Sequence, residues 1–161
     1  MRIGFPREVN EKAARTVASG VVVLAVITLV TRWSWLPVLM AAGFALRALS
    51  GPRYSPLGRL AAQVVAPRLG AAVLVPGAPK RFAQTIGFVF TAAASIAWLG
   101  LGSACVALSL IGVLLVFASL EAVLGFCAGC YVFSWLMHWG LVPAETCQAC
   151  HNITLRTQQS I

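Results

Sequence analysis

Three stretches of this chain carry no Asp, Glu, Lys or Arg: residues 16–31, 82–120 and 122–144. Runs such as VVVLAVITLV and SLIGVLLVFASL within them are apolar all round and do not alternate. A membrane barrel needs alternating segments of roughly ten residues, so that form is excluded. Continuous apolar segments in lipid must satisfy their own backbone groups, which makes them helices. The pattern predicts an all-α polytopic integral membrane protein with four transmembrane helices, at residues 15–31, 33–49, 82–99 and 104–126. The first two lie at the short end of what a bilayer requires, and Arg15 and Arg47 extend them by snorkelling. Trp33 and Trp35 fall between them at headgroup level. Apolar sequence continues beyond the fourth span to Val142, as an overhanging end or as a fifth span beginning near Glu121. No turn chemistry lies between Ser119 and Val123, which favours four spans.

Between spans two and three, Gly51-Pro52 ends one helix, and Ser55-Pro56 reads as an N-cap with proline at the first helical position. A short helix over 56–66 follows, stopping at Pro67. Its mixture of Arg59, Gln63 and Arg68 with Leu57, Leu60, Val64 and Val65 suits a helix lying in the interface, or an ordinary loop helix. Pro76 to Arg81 reads as a turn. Residues 1–142 form one helical membrane domain, and 143–161 a tail.

Composition agrees. The chain is 60% hydrophobic and 10% charged, against roughly 25% charged in an average soluble domain. The net charge is +8, and all four acids are Glu, so aspartate-based triads and Walker-type metal carboxylates are excluded. Most cations flank the apolar runs, a placement that suits anionic headgroups and not nucleic acid. With four spans, eleven cations lie on one side and Arg32 alone on the other. The positive-inside rule then puts both termini in the cytoplasm. No cleavable signal peptide is expected, because the run ending at Thr31-Arg32-Trp33 lacks a small-residue cleavage site.

Several segments carry a resemblance: Phe5-Pro6 with Val9-Asn10-Glu11, Gly43-Phe44 leading to Arg47, and Gly51-Pro52-Arg53 with Ser55-Pro56. Pro79 to Gln84 and Gly125 to Cys130 continue it. In this order and spacing, over about residues 5–131, the chain resembles the bacterial membrane family catalogued as domain of unknown function four-three-nine-five. The resemblance implies a compact helical protein of the bacterial plasma (inner) membrane and supplies no catalytic residues.

The candidate chemistry centres on cysteine. Cys127 and Cys130 share a helical face, close enough for a disulfide or a shared metal. They read as a redox pair, as metal ligands, or as small residues at a Gly125-xxx-Gly129 packing contact. On a continuous span four they lie near its C-terminus, whose dipole raises a thiol pKa. Cys147 and Cys150 form a second pair, so Cys127, Cys130, Cys147 and Cys150 are a four-cysteine zinc candidate, with His151 as a substitute ligand. The tail also spells the haem c attachment pattern, but a cytoplasmic tail lies on the wrong side for it. Cys105, at the far end of span four, is expected to be a packing residue.

Glu121 is the one acid inside an apolar run, where a carboxylate requires a partner or a function. Arg47, at matching depth, is the expected partner in a structural ion pair. On a straight helix Glu121 points about 240° from Cys127 and 180° from Cys130, away from both thiols. His138, among Tyr131, Phe133, Trp135 and Trp139, suits an interfacial aromatic belt.

Three functions fit. One is a membrane-embedded thiol or sulfur-handling protein using Cys127 and Cys130 with a thioredoxin-like or sulfurtransferase partner. Another is a non-enzymatic accessory subunit of a larger membrane complex, and a third is a small oligomeric transporter.

Overall fold

The computed structural model describes residues 8–51 and 54–140. Strand β1 (Glu8–Asn10) pairs antiparallel with β2 (Leu74–Pro76), Val9 opposite Val75. This small hairpin, absent from the pattern reading, ties the start of the chain to the segment before the third long helix. Helix α1 (Glu11–Thr31) starts four residues earlier than expected, because the Asn10 side chain accepts a hydrogen bond from the Lys12 N–H at 3.0 Å. Helix α2 spans Leu36–Ser50.

Helix α3 (Pro56–Leu60) is capped by the Ser55 hydroxyl and runs on through a π-helical turn (Ala61–Val65) into a 3-10 turn (Ala66–Leu69). Pro67 does not stop this segment. It sits in the first turn of the tighter helix, where its missing N–H costs nothing. Helix α4 (Gly77–Ser95), extended by a π-helical turn to Gly100, absorbs the expected Pro76–Arg81 turn for the same reason. Helices α5 (Ala104–Leu124) and α6 (Ala128–His138) complete the fold.

Among the described residues, three helices are long and apolar enough to cross a membrane: Glu11–Thr31, Gly77–Gly100 and Ala104–Leu124. The fourth apolar helix, α2, is shorter, at 15 residues. Helix α2 packs on α4, and α1 on α5. The core is built mainly from small and medium side chains, including Val21, Ala25, Ala94, Ala97, Ala107 and Ala118. Large apolar side chains point outward instead, among them Val30, Leu49, Val89, Leu99, Val116 and Val123. In water that arrangement would be a liability. In lipid it is the expected one, since close helix contact selects small residues and the outer face meets hydrocarbon.

The N-termini of α1, α4 and α6 and the C-termini of α2 and α5 gather at one end of the bundle. Cations there close helix ends that have no further backbone donors. Arg15 donates to the carbonyls of Ala122 and Val123, at 3.3 and 2.7 Å, at the end of α5. Arg81 donates to the Ala48 carbonyl of α2 at 3.0 Å, and Lys12 to the Leu69 carbonyl at 2.7 Å.

Candidate functional site

Helix α5 does not run on to Phe126, the end expected of a fourth span. Gly125 adopts φ 69°, its N–H donates to the Glu121 carbonyl at 3.1 Å, and α5 ends at Leu124. A left-handed residue after the last turn is a common helix stop, and glycine takes it without strain. The chain then turns through Phe126 to Cys127, which is extended (φ −95°, ψ 104°) and forms the N-cap of α6. Cys127 and Cys130 therefore occupy the first turn of a new helix, not the last turn of an old one. The helix dipole at that end favours thiolate, the reverse of the effect expected from a continuous span.

Helix α6 is pinned to α4. A Cβ added to Gly129 would lie 2.6 Å from the Ala83 Cα, so only glycine permits this approach. One turn on, Phe133 packs against Phe82 with ring centroids 5.7 Å apart.

Glu121 is ion-paired, but not with Arg47. The Lys80 ammonium donates to its Oε1 at 2.6 Å, and both side chains are largely buried. Arg47 instead donates from Nε to Gln84 Oε1 at 2.8 Å and from Nη1 to the Ser55 hydroxyl at 3.2 Å. Its guanidinium also lies 4.6 Å from the Phe44 ring centroid. Matching depth did not make Arg47 and Glu121 neighbours. Helix α2 packs on α4 while α5 packs on α1, so α4 presents its own Lys80 to the carboxylate.

A cavity of about 180 Å³ opens between α1, α4, α5 and α6. Its wall is mostly apolar and includes three aromatic rings, Phe44, Phe90 and Phe117. Gln84, Glu121 and Cys127 supply its polar atoms. Glu121 and Cys127 thus line one cavity, although a straight helix would turn them apart; the break at Gly125 brings them together.

The two thiols differ. The Cys130 side chain lies in near contact with Cys127 and draws its thiol below the ordinary range. Burial and the Glu121 carboxylate oppose that shift, and the Lys80 charge assists it. The same contact, together with burial, pushes Cys130 well above the ordinary range.

Cys105 is exposed, near the N-terminus of α5 at the opposite end of the bundle, and so is not the packing residue expected. His138 is exposed at the end of α6. Among the described residues no three His, Cys, Asp or Glu side chains come together to hold a metal ion. The zinc and haem c readings rest on Cys147, Cys150 and His151, which lie outside the described residues. The pattern reading missed the parts played by Lys80 and Gln84. Gln84 did carry a signal, as an amide in the opening turns of an apolar span.

No curated protein and no solved structure matches the chain. The sequence profile described as Domain of unknown function (DUF4395) matches residues 9–138, and so takes in the hairpin, every helix and the Cys127–Cys130 pair. The chain belongs to the DUF4395 family.

Proposed function

We propose that this is a bacterial inner-membrane protein whose Cys127 and Cys130 cycle between dithiol and disulfide. In this reading α1, α2, α4 and α5 are four spans, both termini are cytoplasmic, and the segment from α3 to Leu69 lies in the interface. The pair then faces a cytoplasmic thioredoxin-like or sulfurtransferase partner. The observation that carries the reading is the placement of the pair. It sits on the N-terminus of α6, where the helix dipole favours thiolate, beside a buried Lys80–Glu121 pair. Thiolate reactivity needs a cationic, partly exposed setting of this kind.

A second reading, a non-enzymatic accessory subunit, draws on the contact of Gly129 with Ala83, which makes the same segment a helix–helix joint. A mass-tag shift in intact cells, before and after a diamide pulse, separates the two. Dithiol chemistry predicts a reversible shift that requires both cysteines and is lost in Cys127→Ser. If neither cysteine reacts without denaturant, the segment is a joint and the accessory reading replaces this one.

A further inference from the structure

The cavity beside Cys127 has more to it than a pair exchanging with a water-borne partner requires. It is a half-open cavity between helices whose outer faces are apolar, and its wall carries Phe44, Phe90 and Phe117. At about 180 Å³ it has room for one six-membered ring; an apolar cavity of about 150 Å³ holds benzene. Gln84 places an amide N–H donor for a ring oxygen on the same wall as the Cys127 thiol, and Glu121, ionised by Lys80, places a proton acceptor there. A flat, apolar ring with polar oxygens, arriving from the bilayer, matches each of these features. From them we infer that the cavity binds the ring of a membrane quinone, and that the Cys127–Cys130 dithiol reduces it. The inference rests on the dithiol reading above and names its electron acceptor.

The step balances. The Cys127 thiolate adds to a ring carbon, forming an S–C bond and moving an electron pair onto a ring oxygen. The Cys130 sulfur then attacks the Cys127 sulfur. An S–S bond forms, the S–C bond breaks, and the ring leaves with the electron pair. The two thiol protons finish on the two ring oxygens, with Glu121 as the cavity carboxylate placed to receive and pass one of them. One quinone becomes one hydroquinone as one dithiol becomes one disulfide. A fatty-acyl donor fits less well. A cavity of this size holds only a few methylenes, and three rings are a poor lining for a flexible chain.

The experiment uses the full chain, purified in detergent, reduced and freed of reductant. Decylubiquinone is added in the absence of oxygen, and the loss of its quinone absorbance is followed together with the thiol count. The expected result is one quinone reduced for each pair of thiols lost. Reduction is abolished in Cys127→Ser and in Cys130→Ser. Val132→Phe, at a half-exposed lining position on α6, fills part of the cavity and slows quinone reduction about tenfold, a loss worth about 1.4 kcal/mol. Its thermal midpoint in detergent shows that it is folded. If diamide yields the reversible disulfide while decylubiquinone is not reduced, the quinone inference is overturned and the dithiol reading stands. If neither oxidant forms the disulfide, both fall. Equal quinone rates in wild type and a Val132→Phe shown to be folded by its thermal midpoint would place the reaction outside this cavity and also overturn the inference.

Discussion

Lys80 and Glu121 are held together by burial as much as by charge, because neither has water enough to stand alone. Removing one partner of a buried pair strands the other, at a typical cost of about 3–5 kcal/mol. Lys80→Met and Glu121→Met are each expected to lower the thermal midpoint in detergent and the amount of protein in the membrane. The double variant is expected to recover much of both. Midpoints that add without recovery would mean that the two side chains are not coupled. The same residues tune the thiol. The Lys80 charge lowers the Cys127 pKa, and the Glu121 charge raises it. Alkylation of Cys127 with iodoacetamide should therefore reach half its limiting rate below the ordinary thiol range, which centres on about 8.5. Lys80→Met moves that midpoint upward and Glu121→Gln moves it downward. A profile that is the same in all three proteins removes the electrostatic link between ion pair and thiol.

At the scale of elements, the stop at Gly125 has the largest consequence. A non-glycine residue in the left-handed region costs roughly 1–2 kcal/mol. Gly125→Ala is expected to lower the stability by that amount, read as a lower thermal midpoint, and to favour continuation of α5, which would turn Cys127 away from Glu121. A fall in stability together with a rise in the iodoacetamide midpoint is the expected outcome; a neutral substitution would mean that the helix already continues. The long helices were legible because an apolar run in lipid has few alternatives to helix, and the N-caps at Ser55 and the turn at Trp33 followed from local chemistry. The break was not legible. It lies inside an apolar run with no proline and no cluster of polar turn residues, and its one signal, a glycine, also suited a packing motif. The hairpin escaped for a different reason. Its strands are three residues each and lie more than sixty positions apart, so nothing local specifies the pairing. The Lys80–Glu121 pair depended on which helices are neighbours, a fact that lies in the packing of α4 and not in any span taken alone.

At the scale of the whole molecule, the proposed four-span arrangement makes a prediction about the side on which each end lies. Eleven of the twelve cations fall on one side of a four-span chain, and positive charge is retained in the cytoplasm. Helix α6 does not overturn this count. Its 11 residues extend about 16 Å, against roughly 30 Å of hydrocarbon, so it cannot cross by itself. A reporter fused after Ile161 is therefore expected to be active only in its cytoplasmic form. The native cysteines provide a sharper test of the same topology. Cys105 is exposed near the start of α5, and Cys127 follows that helix's far end, so a spanning α5 puts them on opposite faces of the membrane. In a variant with Cys130, Cys147 and Cys150 changed to Ser, a membrane-impermeant maleimide applied outside intact spheroplasts should label Cys105 and spare Cys127. Inverted membrane vesicles should give the reverse. Labelling of both from one side would mean that α5 does not cross, and the four-span arrangement would have to be abandoned. Labelling of Cys127 from outside alone would invert the protein, placing its cationic end against the usual charge rule and its dithiol beyond the reach of any cytoplasmic partner.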